Sequence, residues 1–300
     1  MTHDTIVIGG SYAGLSAAMP LARARRRVLV IDAGRPRNRF AAAAHGFFGQ
    51  DGKPPLAILQ EAARQLSAYP TVAFIQGEAL TARQAESGFS LTLADGGEER
   101  AARLILATGL VDELPPVPGL QERWGATVLH CPYCHGYEVG DRALGVLANH
   151  PMSAHQAALL PDWGPTTYFT QGMFEPDAEQ AAHLAARGVQ VERSPVVELL
   201  GPAPALEAVR LADGRIVPVA AMFTASRTRM ASPLAEQLGC TFEDGPMGSY
   251  VSVDDWKQTT VPGVYAAGDA ANPMHNATLA SASGVMAGVG AHQSLMRQAA

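Results

Sequence analysis

Short apolar runs alternate with longer stretches of helical periodicity along the first third of the chain. Residues 5–8 and 28–31 predict two buried strands, and residues 13–25 between them predict a helix. This order is typical of a βαβ unit in a parallel sheet. The alternation continues with one predicted helix and three predicted strands, at residues 56–69, 72–76, 89–93 and 104–107.

A second alternation begins after residues 115–119, where three prolines and a glycine indicate a linker. Its predicted strands are residues 143–147, 166–170, 189–192 and 219–224, and its predicted helices are residues 152–160 and 177–187. After residue 245 the chain has two short apolar runs and a predicted helix from about residue 281, which is too little for a sheet of its own. We infer that this last part returns to the first sheet.

The sequence therefore predicts an α/β fold of two Rossmann-like doubly wound domains, the second inserted into the first. The expected first domain comprises residues 1–115 and 246–300, and the inserted domain comprises residues 116–245. A length of 300 residues agrees with two domains of ~150 residues each. Hydrophobic residues make up 47% of the chain, which is enough for two sizeable cores.

Composition argues against several classes of function. The net charge of −6 and the lack of a basic run disfavour nucleic acid as a partner. No apolar run approaches the ~20 residues that a membrane helix needs, and the N-terminus lacks the basic-then-apolar order of a signal peptide. The chain has three cysteines, a low number that is typical of the reducing cytosol. We therefore expect a cytoplasmic protein with no membrane or nucleic-acid partner.

Two of the cysteines stand two residues apart in Cys131-Pro132-Tyr133-Cys134, and His130 and His135 flank them. Such a pair can close a small disulfide ring. Thiol–disulfide exchange requires a thiolate, which a helix N-terminus or a nearby positive charge stabilises. We therefore predict that the protein moves electrons through this dithiol. The third cysteine, Cys240, is predicted to be a buried small apolar residue.

The same stretch contains four potential zinc ligands, two cysteines and two histidines, so a metal site is an alternative. Adjacent residues point in different directions, and the four side chains cannot readily surround one ion. A structural zinc site normally needs a second pair of ligands elsewhere in the chain. We therefore predict no metal.

A nucleotide site is indicated by Gly9-Gly10-Ser11-Tyr12-Ala13-Gly14, which lies between the first predicted strand and helix. The pattern is G-x-G-x-x-G with Ser11 at the second glycine position. A helix N-terminus at such a turn offers free N–H groups and a favourable dipole to a pyrophosphate. Asp32 ends the second predicted strand, where an acidic side chain can bind ribose hydroxyls. The alternative is a plain tight turn.

Two later motifs complete a resemblance. Ala107-Thr108-Gly109 ends a predicted strand, and residues 261–269 read Val-Pro-Gly-Val-Tyr-Ala-Ala-Gly-Asp. With these motifs the whole chain resembles the low-molecular-weight thioredoxin reductase group of FAD-linked disulfide oxidoreductases. The resemblance implies a homodimer that binds FAD at the first site. It also implies several flavin contacts besides the turn and Asp32: Gly109, Gly268, Asp269, His45, Asn276 and Ala277. For His45 and for His275-Asn276-Ala277 the alternative is a plain polar loop.

The second nucleotide site of that family is altered in this chain. The family binds NADPH on the inserted domain through another glycine-rich turn, followed by basic residues beyond the next strand. Here Asn149, His150 and Pro151 fill the turn, and residues 169–173 contain no Arg or Lys to pair with a phosphate. This departure resembles a dithiol oxidase subgroup without a working NADPH site, which passes electrons from a substrate dithiol through FAD to O₂. Related branches take electrons from donors such as ferredoxin and reduce thioredoxin.

The resemblance also implies roles at the redox pair. Cys134 would face the flavin, and Cys131 would exchange with the substrate through a mixed disulfide. His135 stands where thioredoxin reductases usually carry an aspartate as proton donor. Because histidine titrates near neutral pH, His130 or His135 is predicted to serve as the base for the incoming thiol. The alternative is that both are partly exposed loop histidines.

From these observations we predict an FAD-dependent thiol–disulfide oxidoreductase, favoured as a dithiol oxidase that uses O₂. The first alternative is a thioredoxin reductase-like enzyme driven by NADPH or by another donor such as ferredoxin. The second is a non-catalytic flavin-binding redox sensor. The sequence does not distinguish a small-molecule dithiol or disulfide substrate from a protein one.

Overall fold

The computed structural model describes residues 2–298, and their secondary structure alternates between strands and helices as the apolar pattern predicts. The helices are α1 (Tyr12–Arg23), α2 (Pro55–Ser67), α3 (Pro132–His135), α4 (Ser153–Leu159), α5 (Ala178–Ala186), α6 (Leu234–Gln237) and α7 (Ala277–Gln298). Short 3₁₀-helices span Arg37–Phe40, Gln121–Arg123, Leu160–Asp162 and Gly268–Ala271. The strands are β1 (Thr2–Ile8), β2 (Val28–Asp32), β3 (Val72–Gln76), β4 (Ala79–Ala85), β5 (Gly88–Leu93), β6 (Glu98–Leu106), β7 (Leu110–Glu113), β8 (Val128–Leu129), β9 (Leu144–Leu147), β10 (Thr166–Phe169), β11 (Gln190–Glu192), β12 (Val196–Leu200), β13 (Ala208–Leu211), β14 (Ile216–Pro218), β15 (Ala221–Phe223), β16 (Arg227–Met230), β17 (Phe242–Asp244), β18 (Ser249–Val251) and β19 (Val264–Ala266).

The first sheet has seven strands in the order β3-β2-β1-β6-β5-β4, and β19 pairs with the C-terminal half of β6. β1, β2, β3, β6 and β19 are parallel, with Ile6 opposite Leu29 on one side and opposite Leu104 on the other. Ile6 and Val7 are both fully buried but pack into different cores, because successive side chains of a strand point to opposite faces. Burial of both faces explains the continuous apolar runs.

Helices α1 and α7 pack unusually closely on one face of this sheet. A Cβ on Gly284 would lie 2.1 Å from the Ala13 carbonyl oxygen, and one on Gly288 would lie 2.2 Å from that of Ala17. α7 begins four residues earlier than the predicted start near residue 281. The Asn276 side chain explains this, since its Oδ1 accepts the N–H groups of Thr278 at 2.7 Å and Leu279 at 3.3 Å.

The second sheet has the order β11-β10-β9-β15-β8, with all pairs parallel. Helices α4 and α5 bury Ala157 and Leu184 against its residues Val146 and Phe223. An antiparallel sheet of β12, β13 and β14 packs beside it. The prediction of two Rossmann-like domains, one inserted into the other, is confirmed.

The chain crosses between the domains on two antiparallel strands, β7 and β16, with Glu113 opposite Arg227. Beyond β16, Leu234, Cys240 and Val251 are buried in the core of the first domain. Cys240 is 6% exposed, so it is the buried apolar residue expected from the sequence. From these contacts we propose that the chain returns to the first domain at β16, earlier than the predicted residue 246. None of the helices within residues 2–298 is both long enough and apolar enough to cross a membrane.

Candidate functional site

Cys131 and Cys134 form a disulfide at the start of α3, with their Cα atoms 5.3 Å apart. The buried strand β8 leads into Cys131, whose backbone is extended, and Pro132 occupies the first helical position, where no N–H is needed. The N–H of Cys134 donates to the Cys131 carbonyl at 3.2 Å, which closes the turn. Tyr133 is 72% exposed and meets Trp163 edge to face. The redox loop, residues 131–136, therefore has one side open to solvent.

The flanking histidines have buried ring nitrogens without hydrogen-bond partners in the described chain. Both ring nitrogens of His135 and Nδ1 of His130 are in this state. Burial lowers the pKa of His135, although Glu138 partly opposes the effect. Burial and the charge of Arg37 lower the pKa of His130. Both rings are therefore expected to be neutral at pH 7, the form that accepts a proton.

His45 lies beside the redox loop, although it belongs to the first domain. Its ring meets the His135 ring edge on, with centroids 6.4 Å apart. Its Nδ1 is 3.4 Å from the Glu138 carboxylate and 3.6 Å from that of Asp51. The flavin contact of His45 remains a prediction. The structure shows that His45 lies at the boundary between the two domains.

The turn between β1 and α1 leaves no room for side chains at its glycines. A Cβ on Gly9 would lie 2.2 Å from the Ala107 carbonyl oxygen, and one on Gly14 would lie 1.8 Å from the Gly9 carbonyl oxygen. Leu15 is the first residue whose N–H reaches an intrahelical carbonyl, that of Ser11, so earlier amides of the first turn point out of the helix end. The N–H of Gly10 donates to Asp32 Oδ1 at 3.0 Å, which holds the carboxylate beside the turn. These features fit the pyrophosphate and ribose of FAD.

The other predicted flavin contacts lie around this turn. Gly109 follows β6 with a φ of +68°, and Gly268 follows β19 with a φ of +72°. A Cβ on Gly268 would lie 2.8 Å from that of Ala13, so the late motif abuts the first turn. Asn276 caps α7, of which Ala277 is the first residue. The fold thus brings the early and late motifs together at one end of the parallel strands.

A buried ionic cluster that sequence reasoning missed joins this region to the domain crossing. Arg37 donates from Nε and Nη2 to the two carboxylate oxygens of Asp112 on β7, at 2.9 and 2.5 Å, and from Nη1 to Asp269 at 2.8 Å. Ser226, next to β16, donates to Asp112 at 2.8 Å. Burial opposes ionisation of Asp112, but the Arg37 hydrogen bonds outweigh it and lower the pKa of Asp112. Only the abundance of arginine in residues 34–40 hinted at such a cluster in the sequence.

The altered turn on the inserted domain is closed by its own side chains. The hydroxyl of Ser153, a fully buried residue, accepts the N–H groups of Asn149 and His150, both at 3.2 Å. The His150 ring accepts the N–H of Met152 at 3.1 Å. Three backbone amides at the start of α4 are therefore already satisfied within the chain.

α4 also touches the redox loop. The Gln156 side chain donates to the His130 carbonyl at 2.7 Å, and its own Oε1 is buried without a partner in the described chain. Among residues 2–298 no group of three or more His, Cys, Asp or Glu side chains is arranged to hold a metal ion.

His275 gives a pH prediction, because burial and the nearby charge of Arg37 lower its pKa from 6.5 to about 4, while Asp269 and Asp112 act in the opposite sense. The unfolded chain binds a proton near pH 6.5 and the folded chain does not. The contribution of neutral His275 to the stability of the folded protein is therefore complete above pH 6.5, and it is lost as the pH falls towards 4. At 1.36 kcal/mol per pH unit, the loss at pH 5 is about 2 kcal/mol.

Unfolding of the holoprotein at pH 7.5 and pH 5 checks this. We expect His275→Asn to reduce the difference in unfolding free energy between the two pH values by roughly that amount. His155→Asn, at an exposed histidine, is the matched control and should leave the difference unchanged. An unchanged difference in His275→Asn would contradict the prediction.

Comparisons with known proteins agree with this geometry. A family model described as pyridine nucleotide-disulphide oxidoreductase matches residues 3–148 and 168–284. A thioredoxin reductase of Claviceps purpurea, tcpT, is 31% identical, and the match covers 95% of this chain and 92% of the relative. An oxidoreductase structure from Agrobacterium tumefaciens is 50% identical with a TM-score of 0.94, and covers 99% of both chains. The structure of HlmI is 36% identical with a TM-score of 0.92, and covers 99% of this chain and 94% of HlmI.

Proposed function

The chain belongs to the pyridine nucleotide-disulphide oxidoreductase family, as an FAD-dependent enzyme of the thioredoxin reductase type, and on that premise we propose that it is a dithiol oxidase. In this proposal a substrate dithiol is oxidised to a disulfide, and O₂ takes the electrons. The proposed flavin contacts are Gly9, Ser11, Ala13, Gly14, Asp32, His45, Gly109, Gly268, Asp269, Asn276 and Ala277. The proposed residues of the thiol chemistry are Cys131, Cys134, His130 and His135.

The observation that carries the direction of electron flow is the closed turn on the inserted domain. A dinucleotide needs free amides and close approach of the backbone at such a turn. Here the Ser153 hydroxyl and the His150 ring accept those amides. Beyond β10, the Gln171 side chain bonds the backbone of Val196. The nearby cation Arg193 is already paired with Glu175 at 3.0 Å, where a 2′-phosphate would need a free cation. NADPH is therefore a poor electron donor in this proposal.

The reaction balances as a two-electron oxidation. A substrate thiolate attacks Cys131, which gives a mixed disulfide and frees Cys134 as a thiolate. The second substrate thiol attacks the mixed disulfide, leaves as the substrate disulfide and frees Cys131. The Cys131–Cys134 pair of the enzyme has then gained two electrons and two protons. Bound FAD supplies a two-electron acceptor that can pass the electrons to O₂, which with two protons gives hydrogen peroxide.

The histidines handle the protons in this scheme. The incoming thiol must lose a proton before it attacks, and a neutral imidazole is suited to take it. Nδ1 of His130 and both ring nitrogens of His135 have no hydrogen-bond partner among residues 2–298, so each of these atoms can accept a proton without first breaking a hydrogen bond. His45, near Glu138 and Asp51, connects His135 to more exposed acids.

A reductase is the second candidate, because curated relatives from Claviceps purpurea and Leptosphaeria maculans are named thioredoxin reductases. In that case Cys134 would receive electrons and Cys131 would reduce a protein disulfide, with a donor other than NADPH. We further propose a homodimer in the cytoplasm. The exposed apolar residues Leu279, Val285 and Met286 on α7 are suited to contact a second copy.

Anaerobic stopped-flow mixing of the oxidised holoprotein tests the direction. Dithiothreitol is expected to reduce the flavin, while NADPH and NADH reduce it at least about 10²-fold more slowly, because two or three phosphate hydrogen bonds of ~1.5 kcal/mol or more are missing. Admission of air should then give one hydrogen peroxide per dithiol consumed. Fast reduction by NADPH with none by dithiothreitol would overturn the proposal. Dithionite is the control that shows the flavin to be reducible.

A further inference from the structure

Three hydrogen bonds from one guanidinium connect two parts of the chain. One is the motif at residues 261–269, called here the flavin-side motif, and the other is the domain crossing formed by β7 and β16. Arg37, on the 3₁₀-helix Arg37–Phe40, uses Nη1 for Asp269 and both Nε and Nη2 for Asp112. All three side chains are at least four-fifths buried, with exposures of 19% for Arg37, 8% for Asp112 and 19% for Asp269. A bidentate pair of this kind fixes orientation as well as distance.

Both strands that join the domains meet at this cluster. Asp112 lies on β7, the strand that leaves the first domain, opposite Thr228 of the returning strand β16. Ser226, fully buried and directly before β16, donates to the same Asp112 oxygen as Arg37 Nη2. Asp112 therefore links Arg37 of the first domain to the outgoing strand directly and, through Ser226, to the start of the returning strand.

The cluster also adjoins the redox loop. His130 directly precedes Cys131, and the charges of Arg37, Asp112 and Asp269 all act on its ring. The 3₁₀-helix of Arg37 itself contacts the inserted domain, since a Cβ on Gly125 would lie 2.6 Å from that of Phe40. A shift of Arg37 would thus displace its partners Asp269 and Asp112 and change the charge environment of His130, which precedes the redox loop.

We propose that Arg37 is a positioning residue that holds the Cys131–Cys134 pair in electron-transfer contact with the flavin site, by fixing the inserted domain to Asp269. The role is the same for either direction of electron flow, so it does not depend on the proposed oxidase activity. Arg37 touches neither sulfur, and its effect passes through Asp112, Ser226 and Asp269. Catalytic rates can fall about 10²-fold when reacting groups are misplaced by 1 Å.

The test compares two rates of flavin reduction in the same holoprotein under anaerobic conditions. Dithiothreitol must act through the disulfide, whereas dithionite reduces the flavin directly. For Arg37→Ala we expect the dithiothreitol rate per bound flavin to fall about 10²-fold, while the dithionite rate and the rate of disulfide opening, followed by thiol titration, stay within twofold. Arg37→Lys keeps the charge but loses the fork, so an intermediate loss of about tenfold is expected.

Arg35→Ala is the matched control, since Arg35 lies two residues away and pairs with an exposed Glu78. Its two rates should equal those of the wild type. If Arg37→Ala yields no holoprotein, the ratio of the dithiothreitol rate to the dithionite rate is measured in Arg37→Lys and in Ser226→Ala instead. A ratio unchanged from the wild type in these variants would overturn the inference, even if their melting temperatures fell. Should dithiothreitol not reduce the wild-type flavin, the ratio is measured in reverse, as thiols formed after photoreduction of the flavin.

Discussion

Replacing Cys134 with serine is expected to abolish dithiol-dependent reduction of the flavin, by at least about 10³-fold, while FAD stays bound. A hydroxyl cannot form a disulfide, so the two electrons of a substrate dithiol have no path inward. Cys131→Ser should cause a loss of similar size. Both variants retain the turn at Gly9 and Gly14, and dithionite should reduce their flavin at the wild-type rate. Anaerobic stopped-flow absorbance measures all of these rates.

The two cysteine variants should differ in what they trap. Cys134→Ser leaves Cys131 without its resolving partner, so a mixed disulfide with thionitrobenzoate should accumulate on Cys131 after reaction with the corresponding aromatic disulfide. Cys131→Ser should form such an adduct more slowly, since its remaining sulfur is the one assigned to the flavin side. Intact-mass analysis over time distinguishes them. Faster trapping in Cys131→Ser would mean that the assigned roles are exchanged.

Cys240→Ala is the matched control for the loss of one thiol. Cys240 is buried in the core of the first domain, where its Sγ lies 3.5 Å from the Thr259 hydroxyl. Burial raises the pKa of this thiol, which keeps it protonated and unreactive. The variant should reduce its flavin with dithiothreitol at the wild-type rate. A large loss in this control would mean that the effect of the other variants is not specific to the redox pair.

Most of the parallel strands could be predicted from the sequence because their apolar runs are continuous, whereas the two-residue β8 was not predicted. Residues 72–76 were predicted as a strand, and β3 has these bounds. β4, in contrast, has buried residues only at Ala79 and Ala82, with a register shift between Ala79 and Thr81. A bulge of this kind breaks the two-residue period, so no pattern of a strand remained. β12 likewise has a register shift, between Val196 and Glu198.

The residues of the candidate site also differ in how far they could be predicted from the sequence. The glycine turn and the cysteine pair are local, so their spacing was enough to predict them. In the Arg37 cluster, Arg37 is separated along the sequence from Asp112 by 75 positions and from Asp269 by 232 positions. Such contacts form only when the strands are assembled into the sheet, so no local sequence pattern predicts them. The role of Ser153 lies between these cases. The side chains in its turn were noticed in the sequence, but the acceptance of two amides by one hydroxyl depends on the local backbone path.

Gly14→Ala is expected to have the other large effect, by closing the turn that is proposed to hold FAD. The added Cβ would lie 1.8 Å from the Gly9 carbonyl oxygen and 2.9 Å from its carbon. Both are backbone atoms, so relief requires α1 to move away from β1. Overpacking of this kind costs about 3 kcal/mol. Because α1 presents its N-terminus to the pyrophosphate, a similar share of FAD affinity should be lost, about 10²-fold.

Flavin content per protein after purification and the melting temperature check this expectation. Gly77→Ala is the matched control, because it also follows a strand of the first sheet but its Cβ would lie 3.5 Å from the Ile75 side chain, an ordinary contact. It should bind FAD and melt like the wild type. If Gly14→Ala folded with full flavin content, the turn would not be the cofactor cradle. The loss is therefore expected to follow the steric contact at Gly14, and not the removal of a glycine as such.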